Sequence, residues 1–224
     1  MGVVGGPDPI VQDSLVYAID PASTRSFISG SGTVTDLVGD TSNTITSGVQ
    51  VVANPGTVWR WPDAVTPNYI DCGDNNTVRP LTGEVSYNYW VYPSGTGGYR
   101  VTLSCWSSTV SKRHIWFGCD QGDNIIDFYW NQYSRFSISC TPNIWTNICV
   151  TWDGTTLTGY KDGESQATST PGISSDADNL SYGFDLNRNT YEWQGDLGPL
   201  HIYHKELTAA EVLQNYNALK DRFV

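Results

Sequence analysis

Trp145-Thr146-Asn147-Ile148-Cys149-Val150-Thr151-Trp152-Asp153-Gly154, continued through Thr155 and Lys161 to Asp162-Gly163, is the stretch that decides the fold. Asp-Gly is the tight-turn dipeptide of β-hairpins, so its two occurrences frame Thr155 to Lys161 as the middle of an antiparallel meander. Upstream, Val85-Ser86-Tyr87-Asn88-Tyr89-Trp90-Val91-Tyr92 alternates with the period of two that a strand imposes. Turn signals recur at short intervals in both directions, the spacing of a sandwich or barrel rather than of βαβ units. Strands are expected over 14–20, 44–53, 67–72, 84–92, 99–106, 112–118, 124–130, 135–140, 145–152, 155–161, 179–184 and 193–204.

Composition agrees. The chain has 9 Trp, 13 Tyr and 6 Phe against 1 Met, a strand-forming rather than helix-forming inventory. Its 22 Gly and 11 Pro are scattered, as turn residues are. A chain of 224 residues fits one large all-β domain. The formal charge of −11 and the lack of any Lys/Arg cluster disfavour a nucleic-acid partner. No run of about 18 apolar residues and no basic, apolar leader is found, so folding in a cytoplasm is expected. The five cysteines, at 72, 105, 119, 140 and 149, lack metal-ligand spacing and sit mostly in apolar runs. They read as buried thiols, with a Cys105–Cys119 disulfide left open.

The two ends differ from the middle. Residues 1–12 hold Gly2, Gly5, Gly6, Pro7 and Pro9 and read as an arm ahead of a domain over 13–224. That arm is expected to be loose or pinned against a neighbouring chain, with Val3, Val4, Pro7, Pro9 and Ile10 as its contact residues. A single helix is expected over 208–222. Thr208 and Glu211 form a capping box, and Val212, Tyr216, Leu219 and Phe223 make one apolar stripe to dock on the sandwich.

The opening Asp13-Ser14-Leu15-Val16-Tyr17-Ala18-Ile19-Asp20, then Tyr69-Ile70-Asp71-Cys72-Gly73 ahead of Trp90-Val91-Tyr92-Pro93, the meander itself, and the tail Gln194-Gly195-Asp196-Leu197-Gly198-Pro199-Leu200-His201-Ile202-Tyr203 stand in a telling order. Over roughly residues 13–215 that order resembles the concanavalin A-like lectin/glucanase superfamily in its laminin-G-like or pentraxin-like form. The resemblance implies an all-β, two-sheet antiparallel jelly-roll sandwich with one short C-terminal helix. A narrower likeness joins Met1 to Pro7, the segment Asp20 to Gly32 and the ending Leu207 to Asn217, which are similar to lectin-like structural proteins of tailed, particularly marine, bacteriophages.

Fold does not settle function in such a superfamily. A retaining glucanase needs two carboxylates about 5–5.5 Å apart, which the family's enzymes supply from an acid-rich Glu-x-Asp-x-x-Glu strand; that pattern is absent, so no enzyme is expected. His201 and His204 fall on opposite faces of one strand and cannot share a metal, and no GxSxG elbow occurs. No cofactor is required, although calcium stays open at Asp71 with Asp74, at Asp120 with Asp123, and at Asp196, because Asp-rich Gly/Asn loops offer oxygen ligands. Sugar rings stack on aromatic faces, and Trp130, Tyr133, Tyr191 and Trp193 are the candidates, each equally suited to a core.

The first functional reading is therefore a non-enzymatic structural virion protein, a capsid decoration or cement subunit that binds the major capsid protein and its own copies. The alternative is a carbohydrate-binding module, on a phage fibre or a cell surface, that recognises host glycans.

Overall fold

The computed structural model describes residues 8–39, 42–46, 48–61, 67–73, 78, 83–94, 98–107, 112–119, 125–172, 179–186 and 191–223. In chain order the strands begin with β1 (Leu15–Ile19), β2 (Thr33–Thr35), β3 (Ser42–Ile45), β4 (Gln50–Asn54), β5 (Gly56–Trp61) and β6 (Ile70–Gly73). They continue with β7 (Val85–Pro93), β8 (Arg100–Ser107), β9 (Lys112–Cys119), β10 (Ile125–Trp130) and β11 (Tyr133–Ser139). The last are β12 (Thr146–Trp152), β13 (Leu157–Lys161), β14 (Glu164–Ser169), β15 (Leu180–Tyr182) and β16 (Gly195–Tyr203), followed by α1 (Ala209–Leu219) and a 3₁₀ turn, Lys220–Arg222. No described helix is long and apolar enough to cross a membrane.

Two eight-stranded sheets result. Sheet I runs β14-β13-β12-β7-β16-β5-β4, with β1 also on β16; sheet II runs β11-β10-β9-β8-β15-β6-β3-β2. The expected meander is the β12-β13-β14 end of sheet I, Val150 facing Tyr87 on one side and Gly159 on the other. Alternation sends one side of each strand into a shared core. Tyr87 of β7 meets Phe117 of β9 edge-on at 6.1 Å, Tyr89 meets Tyr182 at 6.2 Å, and Trp130 lies 5.4 Å from Trp152. Offset and edge-on aromatic contacts of this kind add specific geometry to the burial of large apolar area. Gly118 lets the sheet bend: a Cβ there would sit 2.3 Å from the Arg100 carbonyl, where β8 bulges between Val101 and Leu103.

The segment expected as one strand over 44–53 divides instead. Ser42–Ile45 belongs to sheet II and Gln50–Asn54 to sheet I, with a turn closed by the Val49 N–H on the Thr46 carbonyl. Three strands carry no period-two signal. β14 is a polar edge strand, β2 is three residues long, and β5 buries Val58 on one face and Trp59 on the other.

The helix forms where the capping box predicted. Thr208 Oγ1 accepts from the Glu211 N–H while the Glu211 carboxylate accepts from the Thr208 N–H. Its last residues tighten into the 3₁₀ turn, and Phe223 stacks on Trp90 at 4.4 Å and beside Trp145 at 4.7 Å. The arm is corrected. Val3, Val4 and Pro7 lie outside the described residues, but Pro9 to Val11 are fastened to this chain's own helix: the Gln214 amide donates to the Pro9 carbonyl, and the Val11 N–H donates to Asn215 Oδ1. Val11 is buried with Leu207 and Val212, Ile10 is half-buried and Pro9 exposed. Asn215 breaks the apolar stripe because it serves both this arm and the Tyr203 hydroxyl.

All five cysteines are buried and none forms a disulfide. Cys105 faces Ile115, whereas Cys119 faces Arg100 at the start of the same strand. That offset of five residues along β8 is roughly 16 Å, beyond the reach of a bridge.

Candidate functional site

The helix and the arm pack on the face of sheet I turned from the core; sheet II has an outward face of its own. Cross-strand register aligns Ser134, Tyr129, Trp116 and Ser104 on that face. The row continues through Ser181, Asp71, Thr44 and Thr33. Trp116 meets Tyr129 edge-on at 5.4 Å. The middle of the row is buried, Trp116 at 3% and Ser104 and Ser181 at 1% exposure, while Thr33 and Thr44 are exposed. Within the strands of sheet II the carboxylates are Asp71 on β6 and Asp127 on β10. Four strand spacings separate β10 from β6, about 19 Å.

The aromatic candidates separate. Trp130 and Trp193 are corrected: they are 2% and 0% exposed inside the sandwich, so neither offers a ring face to a sugar. Burying the largest side chains between sheets gains more than displaying them, and alternation alone could not say which way each pointed. Tyr133 is 65% exposed, with the Arg135 guanidinium 5.3 Å from its ring. It sits beyond Trp130, at the end of sheet II where β8 finishes.

Tyr191 lies at the opposite end, where β8 begins, and accepts the Val101 N–H on its carbonyl. Its φ of 67° is a left-handed conformation that a tyrosine adopts only at a cost. The gain is a ring contact. Tyr191 packs on Tyr99, centroids 4.9 Å apart and tilted by 47°, and Tyr99 remains 40% exposed. Beside them Glu192 accepts from the Asn68 amide at 2.7 Å, and Tyr69 stacks on Phe184 at 5.9 Å. Gly183 makes this rim possible, because a Cβ at its φ of 86° would stand 2.1 Å from the Trp61 ring. Tyr99 is a member of this rim pair that sequence reasoning missed. It follows a Gly-rich turn, and nothing in its neighbours marks it as the partner of a residue ninety-two positions later.

The carboxylate candidates are largely committed to the protein. Asp196 is corrected: it is 1% exposed and takes both Nε and Nη2 of Arg60 at 2.7 Å, with Asn54 on the same carboxylate. A bidentate guanidinium leaves it no free edge for a cation. Asp71 accepts the Gly73 N–H at 2.9 Å and the Asn179 amide on both oxygens, the work of a turn residue. Asp74, Asp120 and Asp123 lie outside the described residues, among which no group of three His, Cys, Asp or Glu could hold a metal.

A family model matches residues 65–213, from β6 through β16 into the start of the capped helix: the concanavalin A-like lectin/glucanases superfamily, laminin-G type. The chain belongs to that superfamily. A search of curated protein sequences returns no match. Among solved structures, a Trypanosoma rangeli sialidase mutant with trans-sialidase activity is similar over 94% of this chain and 33% of its own, at 11% identity and a TM-score of 0.72. The binding domain of Paraclostridial Mosquitocidal Protein 1 is similar over 92% of this chain and 52% of that one, at 17% identity and a TM-score of 0.69. The binding domain of Botulinum neurotoxin DC, in complex with rat synaptotagmin II, is similar over the same 92% and 52%, at 12% identity and a TM-score of 0.69. The chain thus spans a third to about half the length of these structures, and at such identities the likeness is one of fold.

Proposed function

We propose that this protein is a non-enzymatic, lectin-like structural module of a tailed-phage particle, one that adheres rather than reacts, and that its rim tyrosine pair, Tyr99 exposed and Tyr191 half-buried, meets host glycan. The observation that carries the adhesive reading is the Tyr99–Tyr191 pair: two rings held together, one of them by strained backbone, at an open rim. Aromatic faces supply stacking area for sugar rings, and the half-buried Glu192 next to Tyr191 brings a carboxylate to the same rim, held there by the buried Asn68 amide. The formal charge of −11 favours neutral over polyanionic glycans. Adhesion of this kind needs no cofactor. The two outward carboxylates of sheet II, on strands four apart, supply no glycosidase pair at about 5–9.5 Å.

The virion reading rests on the likeness of the N-terminal, Asp20 to Gly32 and C-terminal segments to phage structural proteins. In it the helix side of the molecule, where Pro9 to Val11 are fastened, faces the major capsid protein, and the rim of sheet II faces outward.

A glycan array on the full chain tests the first part. Reproducible binding to neutral glycans, weakened about tenfold or more by Tyr99→Ala or Tyr191→Ala, is expected. Silence across the array, or hits indifferent to both substitutions, sinks it. Mass spectrometry of purified particles tests the second part, which fails if the protein is missing from them.

A further inference from the structure

On the outer face of sheet I, the arm, the helix end and the loop after β1 line a half-open cavity of about 390 Å³. Its floor is Ala18 and His201, neighbours across the β1–β16 pairing. Pro9, Ile10 and Leu219 form the roof, and Leu37 and Val38 the side. The size falls in the range of small-ligand pockets, about 300–1,000 Å³.

The polar floor is incomplete. His201 is 4% exposed, and its Nδ1 has no hydrogen-bond partner among the described residues. Directly across the β7–β16 pairing stands Asn88, 0% exposed, with both amide atoms equally unpartnered. Leu200, Ile202, Tyr87 and Tyr89 turn inward, so His201 and Asn88 share the outer face. Buried polar groups in folded proteins are nearly always hydrogen-bonded, and His201, unsatisfied at the cavity floor, marks a place where a guest completes it; Asn88 lies buried beside it, outside the cavity lining.

We propose that this cavity binds a small uncharged molecule with an aliphatic body and one amide, carbonyl or hydroxyl group, the polar group against His201 and the body against Ile10, Leu37 and Leu219. The charges at the wall exclude other classes. Asp20 is held bidentately by Arg222 at 2.8 Å, Arg25 has partners of its own, and Asp8 is exposed to water. Burial keeps the His201 ring neutral at pH 7, so it offers a hydrogen bond and no charge. An anion entering here gives up hydration without gaining a free counter-charge, and a cation meets only the water-exposed carboxylate of Asp8.

NMR titration of the full chain with hexanamide, hexanoate and hexylammonium tests the assignment. Hexanamide is expected to saturate on the order of 1 mM, the affinity that about eight heavy atoms support, and to shift the signals of His201, Ile10 and Leu219. The two charged probes should bind about tenfold more weakly or not at all. His201→Phe should weaken hexanamide about fivefold. Val38→Trp, at a residue 44% exposed beside the mouth, should abolish binding while the fold is kept. Unmoved signals, meaning a cavity holding water only, overturn the proposal. So do charged probes binding as well as hexanamide, or hexanamide binding unchanged in Val38→Trp.

Discussion

His201 shows what a single residue gains and loses by its position on β16. Burial lowers its pKa to about 4; Asp20 pulls the other way, and Arg222 adds to the fall. An unfolded histidine titrates near 6.5, so between about pH 6.5 and pH 4 the unfolded chain takes up a proton that the folded chain refuses. Stability is therefore complete above about pH 6.5 and declines as pH falls toward 4, by on the order of 3 kcal/mol for this group. Asp20 acts in a lower window. Burial would raise its carboxyl, but the Arg222 guanidinium and the Ala22 N–H outweigh that and hold it below the usual carboxylate range. Its contribution is present above about pH 4 and lost in stronger acid. Urea unfolding at pH 7, 5.5 and 4.5 should show the first decline, and His201→Gln should flatten it. An equally steep decline in the variant would mean that other groups set it.

At the scale of elements, the C-terminal helix is a lid whose hold comes from packing more than from its cap. Phe223, 4% exposed between Trp90 and Trp145, closes a small second core on sheet I with Val58. Gly198 makes room for it: a Cβ there would lie 2.8 Å from Trp90 and 3.1 Å from the Phe223 ring, at the irregularity between Leu197 and Leu200. Phe223→Ala is expected to cost about 3 kcal/mol and Thr208→Ala about 1 kcal/mol, read as shifts in the urea midpoint. Equal costs would place the hold in the capping box instead. The capping box was legible because its two partners are three residues apart. The arm's attachment was not, since Val11 and Asn215 are 204 residues apart and neither has a local reason to find the other.

For the molecule as a whole, the cysteines report how tightly the two sheets close. Burial pushes the Cys72 and Cys140 thiols up to about 12, so thiolate is scarce at neutral pH. A thiol reagent at pH 7.5 should find none of the five in the native protein and all of them in denaturant. A reductant should leave the melting temperature unchanged. Rapid labelling of the native state would show that the sandwich opens more readily than its packing implies.

The all-β class, the meander at Trp145 to Gly163 and the capped helix were determined by sequence alone, because turn dipeptides, period-two alternation and a capping box act between residues only a few positions apart. Which aromatic rings face water was not so determined. Trp130 and Trp193 went inward while Tyr99 and Tyr191 met at the rim, and Asp196 was claimed by Arg60, directly opposite it on the neighbouring strand. The cavity above His201 likewise exists only because residues near 10, 38, 201 and 219 converge. Burial and partner choice depend on contacts between residues far apart along the chain, and those are settled only when the sheets, the helix and the arm pack together.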